Sequence, residues 1–408
     1  MTTLVQPDDV WLLWTVILVG VAASIWLEQT FTWAAKISGP VLALCIAMVL
    51  ANARIMPPEA GVYDVVRDSL VPLALPLLLF RANLFHIVRT TRWLFLAFHL
   101  ASVGTVIGAF TAAAVLHASV DDSPQVAAIM TASYIGGGVN FIAVAQSYRT
   151  SGNVTGPLLV ADNFIMAGVF VVLLLICRSR WMRRWYPHPH TADAVDSRQL
   201  AAEHWRRKEI SLLDIAAALA VAVSVLACAH ASSRFVLTAL QWAGLGDAAT
   251  AGDRNFWAAI AQVAGNLFVH ITLWSSLVAT LAHRLLARIH GAEEMGGYLL
   301  YVFLFVIGLP ADLWHVFSQV PMMFVFCLIM AAMNILVTFL LGRVLRLDLE
   351  DLVLAVNASI GGPPTAAAMA ISLGWSKLVL PALLVGIWGY TIGTAIGLAV
   401  GEILLRWM

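Results

Sequence analysis

Two short polar stretches interrupt otherwise apolar sequence, residues 131–143 (TASYIGGGVNFIA) and residues 356–368 (VNASIGGPPTAAA). Each places hydroxyl or amide side chains beside a Gly-Gly pair, and glycine lets the backbone leave a helix and lets a ligand approach closely. An interrupted helix exposes free amide groups at one end and free carbonyl groups at the other. The first end attracts anions and the second end can bind cations. The two stretches therefore predict a binding site built from backbone as well as side chains.

The predicted substrate-binding residues combine the glycines of both breaks with short polar side chains that bring no charge. They are Ser133, Gly136, Gly137, Gly138, Asn140, Asn357, Ser359, Gly361, Gly362 and Thr365. Pro363 and Pro364 fit the first turn of a helix, so we expect a helix N-terminus at the second break. The alternative is that the small residues only permit close helix packing. Two such breaks at corresponding positions favour a binding site.

Asp162 is the most informative single residue, because a carboxylate inside a bilayer is costly and marks a functional site. At about 1.5 Å per residue it lies roughly 9 Å beyond Gly156 along its helix. We predict that Asp162 and Asn163 bind the coupling ion, Na⁺ or H⁺. The alternatives are that the carboxylate reaches the outer interface or pairs with a basic group. The matching place in the second half holds Gly386, and we expect the nearby Trp388 and Tyr390 to wall an asymmetric pocket.

Composition indicates the class of protein. Of 408 residues, 61% are hydrophobic and 11% are charged, whereas soluble proteins carry roughly a quarter charged residues. Apolar runs of bilayer length recur along the chain, which predicts an all-α polytopic membrane protein. The net charge is zero, so no nucleic-acid partner is expected. The four cysteines lie far apart in apolar runs, so neither a metal site nor a cofactor is predicted.

The order of features occurs twice, with an offset near 225 residues. LFHIVRT at 84–90 is similar to LWHVFSQ at 313–319, and the Gly-Gly stretches follow at matching places. This pattern predicts a first repeat over 1–180, a basic cytoplasmic linker over 181–209 and a second repeat over 210–408.

Charge indicates the topology. If every apolar segment crossed once, Arg81, Arg89 and Arg92 would lie opposite the arginine-rich linker, against the positive-inside rule. Re-entrant hairpins at 126–145 and 352–371 place both basic regions in the cytoplasm. We therefore predict inverted repeats, each with five crossings and one hairpin, and both termini outside. A discontinuous crossing helix remains the alternative, because it has the same hydropathy as a hairpin.

Other polar residues in apolar segments have a simpler interpretation. Gln262, Asn266 and His270 share one helix face, and in lipid such a face points toward other helices. We interpret these three residues and Asn334 as hydrogen-bonding groups between helices rather than as a transport pathway.

The IGGGVNFIA and ASIGGPPTAAAMA motifs resemble the uncharacterised membrane family labelled domain of unknown function 819, over nearly the whole chain. More distantly, GGPPTAAA is similar to the GGHGTAAA-type segment of bacterial sodium/glutamate symporters, and through them to the cation–proton antiporter and anion transporter group. That resemblance implies a location in the bacterial plasma (inner) membrane, a homodimer, an elevator-like movement and a substrate site between 133–140 and 357–365. Pro363 and Pro364 stand where the symporters have His-Gly, which argues against glutamate as the substrate and leaves sodium coupling open.

The sequence thus predicts a secondary active transporter in the lipid membrane, with a small organic solute, anionic or zwitterionic, as its substrate. A channel or passive solute pore is the alternative, although it would need rings of carbonyl groups or charges. An enzyme is not predicted, because no zinc-binding HExxH, nucleophile elbow or P-loop is present.

Overall fold

The fold comes from a computed structural model that describes residues 3–31, 34, 39–120, 122–189, 209–242, 263–310 and 313–408. Within these ranges the chain is helical and contains no β-strand. Asp121, Gln262 and most of the predicted linker, including His190 to Lys208, lie outside the described residues.

The helices described in the first half are numbered α1 to α8 in chain order. A π-helical segment, Val66–Leu70, joins α3 to α4, and α5 is kinked at Arg92. The helices are α1 Val10–Thr30, α2 Gly39–Asn52, α3 Gly61–Val65, α4 Val71–Leu78, α5 Leu84–Leu116, α6 Ser123–Ser147, α7 Gly152–Arg178 and α8 Arg180–Trp185.

The helices described in the second half are numbered α9 to α16. They are α9 Leu212–Trp242, α10 Leu267–Leu281, α11 His283–Leu286, α12 Ala292–Gly308, α13 Leu313–Val344, α14 Leu349–Ile360, α15 Gly362–Ser372 and α16 Ser376–Trp407.

Seven helices among the described residues are long and apolar enough to cross a membrane. This confirms the prediction of a multi-pass helical membrane protein. Most of the surface of α1 and α9 lies outside the protein core, with 28% and 22% of their apolar windows buried. In α6 that share is 94%. A helix enclosed on all sides can carry a polar break that lipid would not tolerate.

The core is organised around the crossing of α5 and α13. A Cβ atom at Gly104 would lie 2.8 Å from the Asn334 Cα atom, and one at Gly108 would lie 2.8 Å from the Met330 Cα atom. Only glycine permits this approach, which lets the two backbones touch as in small-residue crossings of membrane helices. Thr105 and Asn334 are thereby brought together in the centre of the protein.

The two halves interlock. Helix α12 of the second half packs against α1 and α2, and α4 of the first half packs against α9 and α10. Helix α16 packs against both α6 and α15. It therefore contacts both Gly-Gly stretches.

Candidate functional site

The first break lies at Gly137 within α6, where the backbone has φ 73° and ψ −170°. A Cβ atom at Gly401 of α16 would contact both Ala128, at 2.6 Å, and the Tyr148 hydroxyl group. A straight helix would hold Ala128 and Tyr148 about 30 Å apart, at about 1.5 Å per residue. The chain therefore reverses direction between them, around Gly137.

The second break lies between α14 and α15, where Gly362 has φ 80°. The Asn357 side-chain amide donates to the Thr365 carbonyl oxygen at 3.3 Å and contacts the Met369 sulfur at 3.2 Å. In a straight helix Asn357 and Met369 would lie about 18 Å apart. The chain reverses here too, and Pro363 lies in the first turn of α15, as predicted.

The two breaks meet. A Cβ atom at Gly137 would lie 3.9 Å from the Gly362 Cα atom and 3.4 Å from the Tyr390 ring. The Tyr390 hydroxyl would lie 3.9 Å from a Cβ atom at Gly362. Gly137 and Gly362 are the second glycines of the two motifs, so residues at matching places in the motifs form the contact, with Tyr390 of α16 beside both.

Asn140 and Gly136 hold the first break against α16. The Asn140 amide donates to the Tyr390 carbonyl oxygen at 2.9 Å and to the Thr394 hydroxyl at 3.0 Å. A Cβ atom at Gly136 would lie 2.6 Å from the Gly389 carbonyl oxygen. The break is therefore fixed by direct backbone packing.

The tips of both breaks are open. Gly138 is exposed, and a Cβ atom there would meet nothing within 4 Å. Pro364 is also exposed, and Gly361 and Thr365 are half-buried. Free space thus lies beside the backbone of Gly138 and near the hydroxyl group of Thr365. These uncharged groups are suitable contacts for a small ligand.

Ser359 lies away from the tips, at the crossing of α5 and α13. The buried Asn334 amide donates to Ser359 and to Thr105, each at 2.8 Å. Thr105 in turn donates to the Tyr134 carbonyl oxygen at 3.2 Å. That carbonyl lies one helical turn before the break, so Thr105 ties the first broken segment to α5. Asn334 acts between helices, as predicted.

Asp162 faces the first broken segment. The buried Ser133 hydroxyl donates to one carboxylate oxygen of Asp162 at 3.0 Å. The Tyr134 hydroxyl and the Cys327 thiol lie beside the same carboxylate. The other oxygen, Oδ1, is enclosed and has no hydrogen-bond partner among the described residues. Asn163 instead donates to the Leu159 carbonyl oxygen of its own helix at 2.8 Å.

Comparison with known proteins supports the family that the sequence motifs indicated. The family model described as "Protein of unknown function (DUF819)" matches residues 15–407. The chain belongs to this family. It is 40% identical over 411 residues to the "Uncharacterized membrane protein YjcL" of Bacillus subtilis (strain 168), and the match covers 98% of each protein. The predicted family is confirmed, and a bacterial multi-pass membrane protein is supported.

Some residues that build the site in this DUF819 protein carried no sequence signal. Thr105 and Thr394 are hydroxyl residues of apolar helices and belong to no motif. His99 accepts from the Trp388 indole at 3.2 Å, and its other ring nitrogen contacts the Phe95 carbonyl at 2.8 Å. These hydrogen bonds fix the orientation of the Trp388 side chain, which lies on the same helix, α16, as Tyr390.

The prediction that Asn266 and His270 share a helix face is wrong, because Asn266 has extended backbone (φ −68°, ψ 128°) and caps the N-terminus of α10. Both side chains of this DUF819 protein nevertheless contact other helices. The Asn266 amide donates to the Ser147 hydroxyl at 2.6 Å, and His270 contacts the Ser232 hydroxyl at 2.8 Å. These contacts confirm the interpretation of both residues as hydrogen-bonding groups that join helices.

Proposed function

We propose that this protein is a secondary active transporter that binds a small anionic or zwitterionic organic solute between the tips of the two breaks. The contact between Gly137 and Gly362, beside the open space at Gly138, carries the proposal. Paired helix breaks at a repeat interface are the usual form of a substrate site in secondary transporters.

The second break supplies the end of the site that attracts negative charge. Helix α15 begins at Gly362, and the N-terminus of a helix carries partial positive charge. Pro363 and Pro364 lack amide hydrogens, and the Thr365 hydroxyl donates to the Gly362 carbonyl oxygen at 3.0 Å. The backbone amides of Gly362 and Thr365 are therefore the donors of the first helical turn nearest the tip. Few donors combined with a helix dipole suit a single carboxylate group.

The first break supplies the end of the site that attracts a cation. Asp162 provides a carboxylate with one free oxygen, and Ser133 holds the other oxygen. In a membrane interior such a group is expected to carry a proton or bind Na⁺. Asp162 is the proposed coupling site, and Asn163 remains a proposed second ligand.

Contacts between loops support the inverted topology with re-entrant hairpins. Each contact joins two residues that this topology places on the same side of the membrane. On the cytoplasmic side these pairs are Arg81 with Glu293, Pro187 with Leu349 and Asp214 with His290. On the outer side they are Leu4 with Arg54, Arg67 with Gln146 and Tyr148 with Glu402.

The packing also suits an elevator-like movement. Helices α5, α6, α7 and α13 to α16 form one group around the breaks, while α1, α2, α4, α9, α10 and α12 form a second group, in which α4 joins α12 to α9 and α10. We propose that the first group moves against the second group within a homodimer.

A thermal-shift screen tests the proposed function. Organic acids and amino acids are added to the purified protein at two pH values, with and without Na⁺. A ligand that binds only the native state raises its unfolding temperature. We expect a ligand whose effect depends on Na⁺ or on low pH, and a screen without any such ligand would count against the site.

A matched pair of tryptophan variants locates that ligand. Gly138→Trp fills the open space at the tip, whereas Gly168→Trp places the same side chain on the exposed surface of α7, where nothing lies within 4 Å. Only the first variant should abolish the thermal shift. Uptake into proteoliposomes then separates a transporter, which accumulates the solute along an ion gradient, from a passive pore.

A further inference from the structure

A basic and aromatic cavity lies at the end of α7, distant in the chain from the two breaks. Its volume is about 660 Å³, and it is lined chiefly by Arg183, Arg184, Trp185, Tyr186, Arg343 and Asp348. The proposed transport function makes no use of this cavity.

The arginine and aromatic side chains are held in defined positions. The Arg343 guanidinium lies 5.3 Å from the centre of the Trp185 ring and 5.9 Å from that of Tyr186. The buried Tyr186 hydroxyl donates to the Phe339 carbonyl oxygen at 2.8 Å. Burial raises the pKa of this tyrosine and the charge of Arg343 opposes the rise, so the hydroxyl remains a neutral donor.

The cavity carries an excess of positive charge. Three arginines line it against one carboxylate, that of Asp348. Within the part of the chain that the structure describes, no acidic side chain lies within salt-bridge distance of Arg183, Arg184 or Arg343. Guanidinium groups bind phosphate oxygens in pairs and stack on aromatic rings, which makes an anion with a phosphate group the suitable ligand.

The surroundings of the cavity resemble a membrane surface. It lies where the membrane helices α7 and α13 end, and Trp181 and Trp185 stack beside it with ring centres 4.8 Å apart. Both indoles are exposed, by 59% and 45%. Tryptophan at the end of a membrane helix is typical of the headgroup region, and basic pockets there on the cytoplasmic side bind anionic lipids.

We infer that this cavity binds the phosphodiester headgroup of an anionic phospholipid. Arg184 and Arg343 contact the phosphate, and the two tryptophans lie among the glycerol and upper acyl regions. The cavity also adjoins the second broken segment, because the Leu349 amide at the start of α14 donates to the Pro187 carbonyl oxygen at 2.8 Å. A bound lipid would therefore brace the start of α14.

Lipid retention measured by native mass spectrometry tests this inference. Purified protein is mixed with phosphatidylglycerol or with phosphatidylcholine of the same acyl chains. An arginine near an anionic surface contributes about 1 kcal/mol, so Arg184→Gln with Arg343→Gln should weaken phosphatidylglycerol retention about 30-fold. The control, Arg284→Gln with Arg288→Gln, removes the same charge elsewhere on the predicted cytoplasmic side and should retain the lipid.

Three results would overturn the inference. They are equal retention of the two lipids, unchanged retention in the Arg184/Arg343 variant, and a rise in unfolding temperature with inorganic phosphate as large as that with phosphatidylglycerol. The last result would indicate a general phosphate site. If the double variant does not fold, Arg184→Gln alone should weaken retention about 5-fold, because its exposed side chain supports no internal contact.

Discussion

The two broken segments share a glycine at positive φ but differ in chemistry. Gly137 and Gly362 both adopt positive φ at the second glycine of their motifs. The helix that follows the first break carries Asp162, which contacts that broken segment through Ser133. The helix that follows the second break has Gly386 at the matching place, where a Cβ atom would lie 2.8 Å from the Pro363 backbone.

The two breaks thus share a contact but differ in charge. Both contain the glycine that lets the tips meet, but only the first has a carboxylate beside it, and only the second begins its following helix with two prolines. Under the proposed function, the first tip binds the cation and the second tip binds the anion. In the proposed transporter, coupling of the ion to the substrate then depends on the carboxylate and the prolines, which differ between the halves. The contact between the breaks depends on the glycine that both halves contain.

The largest effect is expected from adding a methyl group where α16 packs directly against the first broken segment. In Gly389→Ala the new methyl group would overlap the Ile135 carbonyl oxygen, and overpacking against backbone costs about 3 kcal/mol. The apparent unfolding temperature in detergent should fall sharply. Gly168→Ala, on an open surface, should leave it unchanged, and equal effects would disprove the close packing.

The next largest effect is expected from removing the negative charge of Asp162, which lies beside the first break only. Asp162→Asn should remove the dependence of ligand affinity on Na⁺ or pH, a coupling of about 2 kcal/mol or about 30-fold, while the protein still folds. Thermal shifts with the ligand from the screen measure this. Asp9→Asn, at the exposed start of α1, is the control. Unchanged cation dependence in Asp162→Asn would exclude this residue from coupling.

A smaller effect is expected at the crossing that joins both broken segments. Asn334→Ala removes the hydrogen bonds to Ser359 and Thr105 and leaves buried polar groups without a partner, at a cost of about 1.5 kcal/mol. Thr111→Ala, an exposed residue bonded only within its own helix, should cost far less in the same unfolding measurement. Similar costs would show that Asn334 does not hold the segments together.

The smallest effect tests whether the two breaks are equivalent. A side chain at these positive-φ positions costs about 1 kcal/mol or more, so Gly137→Ala and Gly362→Ala should both lower stability. Gly138→Ala should be neutral, because its Cβ atom meets open space. A strong effect at Gly138 and none at Gly137 would show that the first break lies at residue 138 rather than at residue 137.

The sequence alone was sufficient to predict features that occur in both halves and features that glycine or proline residues mark. It predicted the helical membrane class, both breaks, the helix starting at the prolines and the role of Asn334 between helices, and the structure confirms these. It did not predict Thr105 or Thr394. Each is a hydroxyl residue of an apolar helix that belongs to no motif, and the residue it bonds to is set by helix packing rather than by a local pattern. The depth of the breaks in the membrane, the hairpins as re-entrant elements and the bound ligands remain predictions.

Thiol labelling at the tip of the first break tests the proposed site most directly. Gly138→Cys is made in a variant whose two less buried cysteines, Cys45 and Cys228, are replaced by alanine. We expect the new thiol to react readily and to be protected by the ligand from the screen, while Ser119→Cys in an exposed loop reacts equally with and without it. Labelling at position 138 that the ligand does not change would contradict a substrate site between the two breaks.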